Sequence, residues 1–250
     1  MRIFAHRGYS GKYPENTMLA FEGALKLNVN GIELDVHKTK DGKLAAIHDE
    51  SIDRTFLGNG LVKDYDLRDL KKLENRDEKF RENIDSIIGT LEEVILLVSF
   101  KDDFVLNIEL KTDVIHYNGI KEDVLEMLDS YDMIENTIIS SFNHESLKIC
   151  KKINKNIKTA VLYSEPIEDI VNYAKELGVY AIHPDYKLVD KSLIKKCHEN
   201  NILVNAYTVN EKEDIERHLF LLMNKKELYS VLYVNKDNYL WSTYDDNEFM

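Results

Sequence analysis

The feature that most constrains this chain is a regular alternation between short aliphatic runs and longer segments of helical periodicity. Such alternation is typical of parallel sheets whose strands are joined by crossover helices. Eight runs have the length and composition of strands: Ile3–His6, Gly31–Val36, Val105–Leu110, Thr137–Ser140, Lys158–Leu162, Val179–Ile182, Leu203–Tyr207 and Val231–Val234. Eight such strands predict an α/β fold of the (β/α)8 TIM-barrel type.

The spacing of the predicted strands is irregular at one place. Most strand starts follow one another at roughly 20 to 30 residues, the size of one β/α unit, whereas the second and third starts are about 74 residues apart. Structureless loops longer than roughly 12–15 residues are uncommon. We therefore expect a single domain over residues 1–250 with an insertion at about residues 49–88, after the second strand. Within it, Tyr65–Leu73 is expected to form a short helix and Glu74–Glu82 a solvated charged face.

The charge balance restricts the possible partners. The 250 residues include 33 Lys+Arg and 45 Asp+Glu, which gives a formal net charge of −12 at pH 7. A negative field repels polyanions at long range, so nucleic acid is not an expected partner. One small phosphate-bearing substrate stays possible, because a local site can be positive.

Neither a membrane segment nor a disulfide framework is apparent in the sequence. The longest apolar runs, Val94–Val98 and Leu219–Met223, have five residues each, whereas a membrane span needs about 20. The N-terminus has no charged segment followed by a long apolar stretch, so we expect a cytoplasmic protein. Cys150 and Cys197 are far apart and lack CxxC spacing, and they are expected to be packed thiols. Residues 237–250 show no clear periodicity, and their role stays open.

Two strands carry paired charges. Glu33 and Asp35 stand at i and i+2 in the apolar strand Gly31–Val36, so both carboxylates point to one face. Glu109 and Lys111 repeat this spacing in another strand. An exposed edge strand with alternating polarity is the alternative interpretation of either pair alone. Two carboxylates on one buried face persist only beside a compensating cation.

A shared site is the hypothesis that explains both pairs. If Glu33, Asp35 and Glu109 converge, they form a three-carboxylate site that suits one divalent cation, Mg²⁺ or Ca²⁺, better than Zn²⁺. Lys111 would then offset negative charge or hold a phosphate oxygen.

Two histidines and an arginine accompany these charges. His6 and Arg7 close the first predicted strand, and His48 follows the short apolar run Leu44–Ile47. Each histidine alone is more often structural than catalytic. Together with the carboxylates they indicate an active site, because barrel enzymes keep their sites at the carboxyl ends of the strands.

The motifs of the chain, taken in order, resemble those of the glycerophosphodiester phosphodiesterases. The resemblance covers nearly the whole chain. It rests on these segments: His6-Arg7-Gly8, Pro14-Glu15-Asn16-Thr17, Glu33-Leu34-Asp35-Val36, Thr39-Lys40-Asp41-Gly42, His48-Asp49, Asp53-Arg54-Thr55, Asn107-Ile108-Glu109-Leu110-Lys111, Ser140-Ser141-Phe142 and Thr208-Val209-Asn210.

The resemblance implies a TIM-barrel enzyme that hydrolyses glycerophosphodiesters to glycerol 3-phosphate and an alcohol, with a small domain inserted after the second strand. It implies the following roles: His6 and His48 as the acid–base pair, Arg7 and Lys111 as phosphate contacts, and Glu33, Asp35 and Glu109 as ligands of one Mg²⁺ or Ca²⁺. Which histidine is the acid, and whether the nucleophile is water or a substrate hydroxyl, stay open.

The segment that would contact the alcohol departs from the family pattern. Tyr207 stands where the family usually has Trp, which keeps an aromatic wall and alters its shape. Phe142 and Tyr207 are expected to line the substrate pocket, although a plain core position is equally compatible. Two alternatives remain: a lysophospholipase D-like phosphodiesterase and, less favoured, a non-catalytic barrel scaffold. The head-group preference and the oligomeric state are not readable from the sequence.

Overall fold

The computed structural model describes residues 2–222 and 231–234, which contain ten strands and eight α-helices. The strands are β1 Arg2–His6, β2 Gly31–Lys38, β3 Leu44–Ala46, β4 Gly89–Thr90, β5 Val105–Leu110, β6 Thr137–Ser141, β7 Lys158–Tyr163, β8 Ala181–Pro184, β9 Leu203–Ala206 and β10 Val231–Val234. The helices are α1 Met18–Leu25, α2 Leu67–Leu70, α3 Leu91–Val98, α4 Ile120–Ser130, α5 His144–Ile153, α6 Ile170–Leu177, α7 Lys191–Glu199 and α8 Lys212–Leu222.

Eight of the strands form a closed parallel barrel. The ring runs β1-β2-β5-β6-β7-β8-β9-β10 and closes because β1 pairs with both β2 and β10. At the closure, Ala5 is in register with Ile32 on one side and with Val234 on the other. The predicted TIM barrel is therefore confirmed. The predicted strands match the observed ones within two residues at each end, the largest shift being that of β8.

Alternation along each barrel strand sends one set of side chains outward beneath the helices. In β2, Ile32, Leu34 and Val36 are fully buried in the main hydrophobic core. Helix α3 begins with a capping box, in which the Thr90 hydroxyl accepts from the Glu93 N–H and the Glu93 carboxylate accepts from the Thr90 N–H. Caps of this kind satisfy N–H groups that have no partner within the helix.

The inward side chains near the amino ends of the strands close the barrel with an apolar layer. This apolar plug consists of Phe4, Val105, Ile138, Ala160, Ala181, Leu203 and Tyr233. Because the interior is filled at that end, the cavity of the barrel opens only toward the carboxyl ends of the strands.

The segment between β3 and β4 has a small core of its own. Strand β3 runs antiparallel to β2, and β4 runs antiparallel to β3. The buried cluster consists of Ala45, Ile47, Ile52, Phe56, Val62, Leu70 and Ile88. The helix predicted at Tyr65–Leu73 is shorter, the four-residue α2, and Glu74–Glu82 is mostly exposed, with Asn75 buried. The boundaries of the insertion at about 49–88 stay a prediction.

Other expectations concern the cysteines and the chain as a whole. Cys150 and Cys197 are buried free thiols on α5 and α7. Within residues 2–222 and 231–234, no helix has both the length and the apolar character that a bilayer crossing requires. Residues 237–250 lie outside the described part of the chain.

Candidate active site

Three buried carboxylates converge at the carboxyl end of the barrel. Glu33 and Asp35 of β2 point inward, and the parallel register places Asp35 beside Glu109 of β5. One oxygen from each carboxylate lies within 4.8 Å of the others, and the residues are 3%, 0% and 8% exposed, respectively. Because β2 is paired on both sides within the barrel wall, the edge-strand interpretation is wrong.

The three carboxylates crowd negative charge into a small volume. Burial and the charge of Asp35 raise the pKa of Glu109 to about 7, and the same two causes raise that of Glu33 well above its usual value. For Asp35, burial opposes ionisation, but Arg7 and other cations lower its pKa on balance. Glu33 Oε1 and Asp35 Oδ1 are buried with no hydrogen-bond partner among the described residues. Oxygen ligands with unused lone pairs are what a hard divalent cation requires.

A tight turn after β1 brings Arg7 to the carboxylates. Arg7 and Gly8 both have positive φ angles, +58° and +75°. The turn lets the Arg7 N–H donate to Glu33 Oε2 at 2.9 Å, while its guanidinium Nε lies 3.4 Å from Asp35 Oδ2. A Cβ at Gly8 would lie 2.7 Å from the carbonyl carbon of Ala20, so only glycine fits there.

His6 lies beside Glu33, and Lys111 lies beside Glu109. His6 Nε2 is 3.8 Å from Glu33 Oε2, and burial followed by the nearby Arg7 lowers the pKa of His6 to about 3. Lys111 Nζ donates to Glu109 Oε1 at 2.9 Å. The same Nζ lies 3.4 Å from His48 Nε2, so the two histidines and the lysine share one site.

His48 enters the site from outside the barrel strands, because the apolar run before it is the antiparallel strand β3. Its Nδ1 lies 2.5 Å from Asp49 Oδ1, and Arg54 donates to Asp49 Oδ2 at 2.5 Å. Arg54 also donates twice to Glu15, at 2.7 and 2.9 Å, and Arg7 donates to Glu15 at 2.9 Å. We call the linked groups Asp49, Arg54 and Glu15 the Arg54 bridge.

The Arg54 bridge connects His48 with Arg7 through charged hydrogen bonds. Burial opposes ionisation of Asp49, but hydrogen bonds from Arg54 and His48 lower its pKa to about 2. No role is expected for Glu15, Asp49 or Arg54 from the sequence, although all three lie in motifs that carry the resemblance. Their pairing spans 39 residues between Glu15 and Arg54, and only the folded chain shows it.

Five of the converging groups line a cavity of about 190 Å³: His6, Arg7, Glu33, His48 and Glu109. Phe142 and Tyr207 also line it, with ring centroids 6.2 Å apart in an edge-to-face arrangement. Other polar side chains in the cavity wall are Asn107, Ser140, His183 and Tyr233. Sequence reasoning missed these four. The signal that could have found Asn107 is its position two residues before Glu109, on the same face of β5.

Comparison with known proteins finds a family model and relatives that carry the same description. The family model described as the glycerophosphoryl diester phosphodiesterase family matches residues 6–224. A glycerophosphodiester phosphodiesterase of Caldanaerobacter subterraneus is 42% identical over 216 residues, covering 86% of this chain and 88% of the relative. One of Bacillus altitudinis is 40% identical over 222 residues, covering 88% of this chain and 91% of the relative.

Solved structures show the same fold. The crystal structure of a glycerophosphodiester phosphodiesterase from Thermotoga maritima has a TM-score of 0.74 at 28% identity, covering 94% of this chain and 95% of that one. An Oleispira antarctica phosphodiesterase, solved in complex with the product sn-glycerol-3-phosphate, has a TM-score of 0.79 at 24% identity, covering 94% and 93%. Because the family model spans most of the chain and relatives near 40% identity span nearly as much, this chain belongs to the glycerophosphoryl diester phosphodiesterase family.

Proposed function

We propose that this protein hydrolyses glycerophosphodiesters to sn-glycerol 3-phosphate and an alcohol. The observation that carries the proposal is the convergence of three buried carboxylates, two imidazoles and two cations in and directly around one cavity. The names of the relatives, and the product bound to the Oleispira antarctica enzyme, support the same substrate class. The substrate is a small molecule, in agreement with the size of the cavity.

In this proposal Glu33, Asp35 and Glu109 hold one divalent cation, Mg²⁺ or Ca²⁺. The fit rests on their three converging oxygens and on the unpartnered oxygens of Glu33 and Asp35. When bound, such a cation neutralises charge on the phosphate oxygens and polarises the phosphorus centre.

Arg7 and Lys111 bind the non-bridging phosphate oxygens. Arg7 is held by Glu15 on one side and by Asp35 on the other, which presents its planar guanidinium in one orientation. Lys111 adds a point charge next to Glu109, where negative charge would otherwise accumulate. Both groups stabilise the additional charge that develops on the phosphoryl oxygens in the transition state.

His6 and His48 divide the two proton transfers. His6 is uncharged near neutral pH, because burial and Arg7 lower its pKa to about 3, so it can accept a proton from the nucleophile. His48 Nδ1 lies 2.5 Å from Asp49 Oδ1, so Nε2 is the nitrogen that faces Lys111 and the cavity and can transfer the second proton. His48 is therefore assigned as the acid that protonates the leaving alcohol.

The Arg54 bridge positions His48. Replacing Arg54 by Leu removes the donors that orient Asp49, and we expect kcat to fall roughly tenfold, below the ~10²-fold that a 1 Å misplacement can cost. Arg54→Lys keeps one charge but not the paired contacts, so its kcat should lie between those of the wild type and Arg54→Leu. Steady-state kinetics checks this, with a change in kcat and little change in KM.

The matched control is Arg68→Leu, an arginine in the same segment that is 78% exposed in its side chain and pairs with its neighbour Asp69. Its kcat should equal that of the wild type, as is usual for exposed ion pairs. If Arg54→Leu also keeps wild-type kcat with an unchanged melting temperature, the bridge has no positioning role.

A substrate panel tests the proposed reaction itself. Glycerophosphocholine, glycerophosphoethanolamine and glycerophosphoglycerol are assayed beside lysophosphatidylcholine, with detection of released glycerol 3-phosphate or lysophosphatidate. We expect turnover of the glycerophosphodiesters, because the cavity measures about 190 Å³ and is lined mainly by polar side chains. Faster release from lysophosphatidylcholine would instead establish a lysophospholipase D-like activity. No release from any of them, in the presence of Mg²⁺ or Ca²⁺, would favour the scaffold alternative.

A further inference from the structure

One buried histidine beside the active site has no part in the proposed chemistry. His37 lies at the carboxyl end of β2, on the same face of the strand as Asp35, and it is 0% exposed. It does not line the cavity. Its two ring nitrogens instead face the hydroxyl of Tyr117, at 2.8 Å, and the main-chain carbonyl of His48, at 3.1 Å. His37 therefore contacts the main chain of the proposed acid without reaching the substrate.

The two hydrogen-bond partners fix the tautomer of His37. The carbonyl oxygen of His48 can only accept, so His37 Nε2 carries the proton and donates to it. In an uncharged ring Nδ1 is then an acceptor, which the hydroxyl of Tyr117 satisfies as the donor. Tyr117 is 6% exposed, and its ring packs edge-to-face on His37 with centroids 5.6 Å apart. The imidazole of His37 is thus held in one orientation, with its N–H directed at His48.

The main chain at His48 lies just beyond the strand pairing that precedes it. Ala46 is the last residue of β3 that is paired with β2, and the Ile47 N–H still donates to a carbonyl of β2. His48 follows, and the side chain of His37 extends the connection with β2 by one more hydrogen bond. His6, in contrast, belongs to β1, a strand that is paired on both sides. Of the two histidines, His48 therefore depends more on a side-chain contact for its main-chain position.

Two interactions hold His48 at different points. Asp49 Oδ1 lies 2.5 Å from the ring nitrogen Nδ1, which sets the orientation of the ring. His37 bonds the carbonyl, which sets the main chain from which the ring extends. We propose that His37 is a positioning residue for proton transfer from His48, acting through the main chain. The inference rests on the proposed function, in which His48 protonates the leaving alcohol.

This role predicts a dependence on the leaving group. In the proposed reaction a P–O bond forms to the nucleophile and the P–O bond to the alcohol breaks. The electron pair of the broken bond stays on the alcohol oxygen, which takes its proton from His48 Nε2. Choline leaves poorly as an alkoxide, whereas p-nitrophenolate is a weak base that leaves without a proton. Displacement of His48 alone therefore slows the release of choline and not that of p-nitrophenol.

The test measures kcat for glycerophosphocholine and for the p-nitrophenyl ester of glycerol 3-phosphate. The variants are His37→Asn, whose amide is too short to reach the His48 carbonyl, and His37→Gln, whose amide extends about as far as Nε2 and can donate. We expect His37→Asn to lower kcat for glycerophosphocholine roughly tenfold with little change in KM, below the ~10²-fold that a 1 Å misplacement can cost. With the p-nitrophenyl ester its kcat should stay within about threefold of the wild type, because that leaving group needs no acid. His37→Gln should keep both values within about threefold of the wild type, because its donor replaces Nε2–H.

The matched control is His144→Asn. His144 makes the same pair of contacts, with the Tyr173 hydroxyl and the carbonyl of Leu162, both at 2.9 Å, but this carbonyl belongs to the barrel strand β7. Its ratio of the two kcat values should match that of the wild type. An equal loss with both substrates in His37→Asn would overturn the inference, since the effect would then be general to the fold. Wild-type kcat with both substrates in His37→Asn would overturn it as well.

His48→Ala distinguishes failure of the inference from failure of the proposed function. It should show the same dependence on the leaving group, with at least about a 10²-fold loss for glycerophosphocholine and a smaller loss for the p-nitrophenyl ester. If His48→Ala slows both substrates equally, the assignment of His48 as the acid is wrong, and the inference fails with it. If the wild type releases neither choline nor p-nitrophenol, the proposed reaction itself is wrong.

A second measurement uses the wild type alone. Nuclear magnetic resonance of protein labelled with ¹⁵N-histidine reports which ring nitrogen of each histidine carries the proton. We expect His37 to be protonated at Nε2, because only this tautomer donates to the His48 carbonyl. A proton on Nδ1 with Nε2 bare would contradict the positioning role, whether or not His37→Asn folds.

Discussion

We expect replacement of His48 or His6 by Ala to lower kcat at least about 10²-fold, the usual contribution of a positioned acid or base. The reason is geometric. His48 Nδ1 is engaged by Asp49, which leaves Nε2 to face Lys111 and the cavity. His6 lies across the cavity beside Glu33, and alanine cannot transfer a proton at either place. The measurement is steady-state kinetics with glycerophosphocholine as the substrate.

The matched control for both variants is His116→Ala. His116 is exposed and bonds the carbonyl of Thr112 through Nδ1, and it does not line the cavity. It should retain wild-type turnover. Circular dichroism and thermal unfolding establish that each variant folds. If both His6→Ala and His48→Ala turn over substrate at the wild-type rate, the acid–base assignment is wrong.

We expect removal of divalent cations to abolish activity and added Mg²⁺ or Ca²⁺ to restore it. Without a cation, the mutual repulsion of Glu33, Asp35 and Glu109 is offset only by Arg7, Lys111 and neighbouring groups. The phosphate would then approach carboxylates whose charge is only partly offset, and these repel it. Dialysis against excess EDTA followed by titration with each cation measures the effect and distinguishes Mg²⁺ from Ca²⁺.

Asp35→Asn provides the corresponding variant, because the amide keeps the shape of the side chain and can still bond Asn16. We expect activity to fall at least about 10²-fold, and calorimetric cation affinity about 10- to 100-fold. The control is Glu145→Gln, an exposed carboxylate at the start of α5 that pairs with Lys148. Full activity in excess EDTA would show that the carboxylate cluster serves another purpose.

The barrel and its carboxylate cluster could be predicted because their signals are local. Strand composition and alternation identified all eight barrel strands, and the i, i+2 spacing placed Glu33 beside Asp35 and Glu109 beside Lys111. The roles of His6 and His48 came from the resemblance, because a lone histidine at a strand end is not diagnostic. For the segment after β3, the sequence predicts only that an insertion exists and roughly how long it is. Its helices are single turns, and such short helices carry little periodicity.

The Arg54 bridge and the polar side chains that share the cavity wall show what escaped prediction. Glu15 and Arg54 come from separate loops, and nothing in either loop specifies the other as a partner. Asn107, Ser140, His183 and Tyr233 lie on four different strands, and each is one polar residue in its strand. Their convergence on one cavity depends on the register of the closed barrel, which is a property of the whole ring.

The sequence by itself determined which residues form strands, which faces they present and which family the motifs resemble, because these depend on neighbours a few positions apart. Only the tertiary structure decided which faces meet. Closure of β1 against both β2 and β10 sets the register that turns isolated pairs of charges into one carboxylate cluster. The same closure leaves Asn107 Oδ1 buried in the wall of the cavity. Long-range register arises from packing of the complete barrel, and no short stretch of sequence contains it.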